Sequence, residues 1–161
     1  MKINYLKLVF SFLLIAIFSA IYFVFVNEKS AQAAPLLDRT AIVMGIDNNS
    51  NGIRDEIDVY INGLSDSYLQ KKSLEQVALA FSAVLSTDLA NITTLRISSE
   101  KLSNSSSCIF SRYPGSMANK RSREMEKFYF NTKQRLDLYD AYNQALSGST
   151  SLSPVGNACT T

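Results

Sequence analysis

Oxygen-bearing side chains recur at alternate positions in the string Asp47-Asn48-Asn49-Ser50-Asn51-Gly52-Ile53-Arg54-Asp55-Glu56-Ile57-Asp58. Counted from Asp47, positions 1, 3, 5, 9 and 12 hold Asp47, Asn49, Asn51, Asp55 and Asp58, and position 6 is Gly52. A calcium ion takes about six to eight hard oxygens, and a chain curling round it offers alternate side chains. Gly52 permits the sharp turn that would bring the Ile53 carbonyl inward as a further ligand. Asp55 would act through a water, and Asp58 would close the shell from the first turn of a following helix. With three carboxylates, the expected dissociation constant is modest, about 0.1–1 mM. The other reading is an Asn-rich turn whose side chains cap their own backbone ahead of a helix.

The string resembles the calcium loops of EF-hand, dockerin and thrombospondin type-3 proteins, with Asp47, Asn49, Asn51, Gly52, Asp55 and Asp58 on the matching positions. It departs from an EF-hand at position 8, where Arg54 stands in place of an apolar residue, and at position 12, where Asp58 replaces a longer glutamate. The Asp-x-Asn-x-Asn-Gly-Ile-x-Asp-x-x-Asp form is nearer to the thrombospondin type-3 loop. No entering helix shows in the pattern ahead of Asp47, so a single EF-like loop with only an exiting helix is expected.

Several chemistries are excluded by composition. The 161 residues contain no histidine, so no Ser-His-Asp or Cys-His pair and no Cys2His2 zinc site exists. A net charge of +2 gives no bulk signal for nucleic acid. Ser98-Ser99-Glu100-Lys101 has a Ser-x-x-Lys spacing, but no partner motif of penicillin-interacting enzymes accompanies it. Lys120, Arg121, Arg123 and Lys127 form a basic stretch interrupted by Glu124 and Glu126, which reads as a solvated helix face. Asn91-Ile92-Thr93 and Asn104-Ser105-Ser106 match glycosylation sequons, a short pattern of little weight.

Hydrophobicity is concentrated at the N-terminus. Leu8 to Val26 carries no charge and comes after Lys2 and Lys7. As a helix this run would be ~28 Å long, close to the hydrocarbon thickness of a bilayer. Residues 27–33 are short and polar and end in Ala31-Gln32-Ala33, a signal-peptidase pattern with cleavage between Ala33 and Ala34. A cleaved signal peptide and an uncleaved anchor both export the remainder of the chain, to the periplasm or the outer face of the inner membrane. No cysteine precedes Cys108, so a lipid-modified N-terminus is excluded. In an oxidising compartment Cys108 and Cys159 are expected to bond, two buried thiols being the alternative.

Removing residues 1–33 takes away Lys2, Lys7, Lys29 and Glu28 and leaves thirteen bases against thirteen acids. That balance is split, because Asp38 to Asp66 holds six acids and two bases. The body is therefore an acidic loop region joined to a mildly basic helical part.

The elements that must position the loop read as an all-α bundle of four to five helices over residues 55–148, behind an extended lead-in over residues 34–46. Ile57 and Ile61 share one face of an exiting helix that Asn62-Gly63 stops. Residues 66–85 give the strongest helical period, with Leu74, Val77, Phe81 and Val84 inward. Leu89, Ile92, Leu95 and Leu102 continue it more weakly, and residues 103–107 read as a loop or frayed end. Residues 117–129 form a helix after the Tyr113-Pro114-Gly115 turn. Asn131 and Gln134 have the form of a capping box opening a helix with Leu136, Tyr139, Tyr142 and Leu146 on one face. Residues 149–161 form a tail tethered by Cys159.

The whole chain is similar to small exported proteins of Gram-negative bacteria. They share an Asn-Gly-x-Arg-Asp loop (Asn51 to Asp55), a Tyr-Ile pair (Tyr60-Ile61), an Asn-Thr-x-x-Arg string (Asn131 to Arg135) and a Tyr-Asn-x-x-Leu-Ser-Gly stretch (Tyr142 to Gly148). The likeness implies export and a helical body, and no activity. The expected function is a calcium-binding structural or interaction module of the bacterial envelope. It would not be an enzyme, its partner would be an envelope protein or polymer, and membrane contact would come only through residues 8–26 if uncleaved. The alternative is a small periplasmic enzyme or inhibitor in which the loop is a metal-free helix cap.

Overall fold

A computed structural model describes residue 15, residues 34–150, residue 154 and residues 156–160. Residues 1–33 and 34–161 separate into two compact units. Apart from Ile15, the uncharged run and the Ala33 side of the cleavage site lie outside the described residues. Among the described residues no helix is long and apolar enough to cross a membrane.

Five helices make up the body: α1 (Asp55–Gly63), α2 (Tyr68–Leu85), α3 (Ile92–Arg112), α4 (Gly115–Tyr129) and α5 (Lys133–Ala145). No strand occurs among the described residues. The all-α expectation is met, with an extended segment ahead of α1.

The central element is α2, which touches each of the other four helices. Its sequence explains this role. A Ser67–Gln70 capping box starts it, with the Ser67 side chain on the Gln70 amide and the Gln70 side chain back on the Ser67 amide. Leu74, Val77, Ala78, Phe81, Val84 and Leu85 then recur at helical spacing and are all buried. Phe81 meets three aromatic rings from two other directions, Tyr129 at 5.5 Å, Phe130 at 5.0 Å and Tyr139 at 6.5 Å between centroids. Phe130 stacks on Tyr139 at 4.0 Å, which joins the α4–α5 corner to α5.

The serine-rich stretch departs from expectation. Residues 103–107 continue α3 as far as Arg112 instead of forming a loop. The reason is local: Ser105 donates to the Leu102 carbonyl and Ser111 to the Cys108 carbonyl, so these hydroxyls are satisfied within the helix. Small side chains also let α3 lie close to α2, and Ser98 and Ser105 are buried. Ser98 donates to the Leu95 carbonyl and meets the Tyr142 hydroxyl.

Two further corrections concern α4 and α5. Asn131 is not the cap of α5; Thr132 is, accepting from the Arg135 amide. Leu136 is 46% exposed, while its neighbour Arg135 is fully buried. The inward face of α5 is therefore set by Arg135, Tyr139 and Tyr142, one residue out of register with the apolar reading at its start.

Cys108 of α3 and Cys159 of the tail lie at bonding distance, S–S 2.01 Å, with Cα atoms 4.9 Å apart. Gln76 of α2 holds the same piece of tail from the other side. It donates to the Ala158 carbonyl at 2.8 Å and accepts from the Thr160 amide at 3.0 Å.

Candidate functional site

The twelve-residue loop has an open face and a docked face. On the open face, the side chains of Asn49 and Asn51 both donate to Asp58 Oδ2, at 3.2 and 2.7 Å. Asp47 accepts from the amides of Asn51 at 3.2 Å and Gly52 at 2.8 Å. Positions 1, 3, 5 and 12 of the loop are thus drawn into one ring. The turn that permits it is Gly52, with φ of +86°, a conformation that costs glycine little and other residues more. A hydrogen bond of 2.9 Å from the Asp55 amide to the Ile46 carbonyl closes the loop at its base.

Asp55, at position 9, turns away from the ring. Its carboxylate accepts from the amide and side chain of Asn48. The Ile53 carbonyl accepts from no donor among the described residues, while the next one, of Arg54, accepts from both Ile57 and Asp58. A cation at this ring would meet two carboxylates and two amides, whose oxygens here accept from the backbone amides of Asn51 and Ile53. The two amides face Asp58 through nitrogen, so each would have to turn about its last bond to offer oxygen. Among the described residues no group of three or more His, Cys, Asp or Glu side chains is placed to hold an ion.

The docked face joins the loop to the helices. The Gly52 carbonyl accepts from Ser82 of α2 at 2.7 Å, and Ser82 meets the Tyr129 hydroxyl at 3.2 Å. Ile53 is buried in the core. Arg54, expected only as a departure from an apolar position, is 1% exposed. It donates to the backbone carbonyls of Phe128 and, at 3.2 Å, Tyr129, which end α4. Its guanidinium lies 4.9 Å from the Tyr129 ring centre and its Nε lies 3.0 Å from Glu56. A cation at a helix C-terminus meets both the unpaired carbonyls and the negative end of the dipole. Burial pulls the Arg54 pKa down, and Glu56 opposes that shift.

A second buried arginine holds the lead-in. Arg135 is 0% exposed and donates to the carbonyls of Asp38 at 2.7 Å, Ile42 at 2.8 Å and Val43 at 2.8 Å. It also pairs with the Asp38 carboxylate at 3.2 Å. Five donors in a fixed fork suit this work, where a lysine could serve three at most. Burial pushes the Asp38 carboxyl up, but hydrogen bonds from Thr40 and Arg135 outweigh it and hold the group below its ordinary value. Asn131 lies between the arginines, its oxygen accepting from both and its nitrogen donating to the Asp38 carbonyl at 2.8 Å. Gly45, with φ of +76°, passes directly over Arg54, and a Cβ there would collide with that side chain.

A third buried arginine, Arg121 of α4, departs from the solvated face of its stretch, on which Lys120, Arg123 and Lys127 are exposed. It is 8% exposed and grips Asp66 with two bonds of 3.0 and 3.1 Å. Glu124, Tyr60 and Tyr113 complete the cluster, with Tyr113 donating to Asp66 and Tyr60 to Glu124, each at 2.8 Å. Burial and the adjacent carboxylates push both phenols far above their ordinary value.

A cavity of about 590 Å³ lies between α3 and the end of α5, with Leu95 and Leu146 among its apolar lining and Arg96 paired to Glu100 within it. Comparison of the chain with protein-family models, curated proteins and solved structures gives no match.

The residues that sequence reasoning missed are the three arginines and Asn131. One signal was present for all of them but Arg121. Arg54 belongs to the Asn-Gly-x-Arg-Asp string, and Asn131 and Arg135 to the Asn-Thr-x-x-Arg string. The two strings meet at this junction.

Proposed function

We propose that the protein is an exported calcium-binding helical module of the bacterial envelope, structural or interacting in role and not an enzyme. Calcium at Asp47, Asn49, Asn51, Asp58 and the Ile53 carbonyl fixes the loop and with it the extended segment before it, while Asp55 stays outside the ring on Asn48. The observation that supports this reading is the ring of loop side chains converging on Asp58, on a loop whose other face is tied to α2 and α4 through Ser82 and Arg54. An ion there would neutralise the mutual repulsion of Asp47 and Asp58 and bear on the docking of residues 38–46. The affinity range of extracellular modules, about 0.1–1 mM, suits an ion that is always present and acts as a structural part.

Export rests on the sequence: the uncharged run, the Ala-x-Ala site and the paired cysteines. Titration calorimetry with calcium tests the reading, comparing the wild type with Asp47→Ala. Heat saturating in the millimolar range for the wild type and absent in the variant supports it. Equal heats, or none, would remove the metal. The cavity between α3 and α5 favours a second reading, a ligand-binding protein or inhibitor using that groove.

A further inference from the structure

We propose that Asn62–Gly63 is a site of spontaneous succinimide formation, and that Asn51–Gly52, the one other Asn-Gly step in the chain, is held inert by Asp47. In this chemistry the glycine amide nitrogen loses its proton to water and attacks the asparagine Cγ. A nitrogen–Cγ bond forms, the Cγ–Nδ2 bond breaks, and ammonia leaves. Water then opens the five-membered ring at either carbonyl, giving aspartate or isoaspartate. Water is the sole co-reactant.

All four residues of the two steps are exposed, so solvent access does not separate them. Charge does. The nucleophile of the first step, the Gly52 amide, donates to the Asp47 carboxylate at 2.8 Å. That negative charge opposes formation of an amide anion, and the hydrogen bond holds the proton in place. The electrophile is restrained too. The Asn51 side chain accepts from the Ile53 amide at 2.8 Å and donates to Asp58 at 2.7 Å, while the Gly52 carbonyl is fixed by Ser82.

The second step has the opposite charge beside it. Lys71 of α2 donates from Nζ to the Asn62 carbonyl at 2.7 Å. That carbonyl and the Gly63 nitrogen are the two ends of one peptide unit. An ammonium on the oxygen draws electron density from the nitrogen and favours loss of its proton. The Asn62 side chain has no partner among the described residues. Gly63 is the last residue of α1, so its amide is released whenever the final turn frays. One unit charge at hydrogen-bond distance in a water-like dielectric is worth roughly tenfold in such an equilibrium, so the two steps should differ by that much or more.

The product has a structural effect. It places a negative charge at the C-terminus of α1, against the dipole, and isoaspartate lengthens the backbone between buried Ile61 and Leu64.

The test is incubation of the full chain with a chelator at mildly alkaline pH, so that Asp47 and Asn51 keep these hydrogen bonds, then peptide mapping with mass spectrometry that separates aspartate from isoaspartate. The expected result is conversion at residue 62 with residue 51 left as the amide, at rates differing roughly tenfold or more. Lys71→Gln should slow conversion at residue 62, and Asp47→Ala should open residue 51 while the helical circular dichroism is kept. Conversion of Asn51 as fast as Asn62 in the folded wild type would overturn the proposal. So would an unchanged rate at Asn62 in Lys71→Gln, a variant of a surface side chain that does not depend on the loop's folding.

Discussion

Arg54 and Arg135 donate to the same oxygen, the side-chain carbonyl of Asn131, at 3.4 and 2.7 Å. Two buried guanidinium groups thus share one neutral acceptor, while their charges are met by Glu56 and Asp38. Through this junction the calcium-type loop, the lead-in and the α4–α5 corner become one unit. Removing a partner from a buried ionic network leaves a charge without compensation, at a cost of about 3–5 kcal/mol. Arg135→Ala is expected to lose that much in urea unfolding, and Asn131→Ala somewhat less, about 1–3 kcal/mol. Arg135→Lys is expected to recover only part, because an ammonium cannot reach three carbonyls and Asn131 together. A second readout distinguishes a local from a general effect: in Arg135→Ala, residues 38–46 should be cut by protease before the helices are.

The cluster around Arg121 carries a separate prediction. Arg121→Ala leaves Asp66 without its two-bond partner and exposes the Tyr60–Glu124 pair to competition from water. Its cost is expected near 3–5 kcal/mol by chemical unfolding. An exposed base of the same helix, Lys127, should be near neutral when replaced by alanine.

Stability should fall at both ends of the pH scale for stated reasons. Asp38 lies below its ordinary 3.8 in the folded chain, so the unfolded chain binds more protons in acid. Its contribution is present above about pH 4 and is lost as the pH falls through the lower folded value. Asp38→Asn should flatten that acid limb. Burial pushes the Tyr129 phenol up to about 12, and Tyr60 and Tyr113 are raised as well. These groups favour the folded state below about pH 10 and cease to do so as the pH rises past it, because the unfolded chain ionises first. The tyrosinate absorbance of these three groups should therefore rise cooperatively with alkaline unfolding, not gradually.

The bond between Cys108 and Cys159 closes a loop with a sequence separation of 51 residues. By the chain-entropy model it stabilises the fold by up to about 4 kcal/mol. Replacing both cysteines by serine should lower the unfolding midpoint accordingly. Hydrogen exchange at residues 156–160 should accelerate more than in α2, because Gln76 alone then holds the tail.

Much of the helical framework was legible because it is written in period. Leu74, Val77, Phe81 and Val84 of α2, and Ile57 and Ile61 of α1, are apolar residues at helical spacing, and all are buried. The turn ahead of α1 was legible because Asp, Asn and Gly52 crowd into six residues before the helix. What periodicity could not show is the burial of charge. Arg54, Arg121 and Arg135 read as solvent-facing by type, and their true positions depend on backbone carbonyls and carboxylates distant in the chain. Arg135 was hidden further by Leu136, an apolar neighbour that drew the inward face one residue too far. The serines of α3 read as loop by composition, yet Ser98, Ser105 and Ser111 satisfy their hydroxyls within their own turns.

The central claim is that calcium at the loop braces the lead-in against the helices. Thermal melting of the full chain in 10 mM calcium against a chelator tests it most directly. For a dissociation constant of about 0.1–1 mM, the ion adds roughly 1.4–2.7 kcal/mol, a rise of several degrees in Tm. That rise should vanish in Asp47→Ala and Asp58→Ala, and protection of residues 38–46 from protease should track it. An unchanged midpoint in the wild type, or the same rise in both variants, would contradict the account.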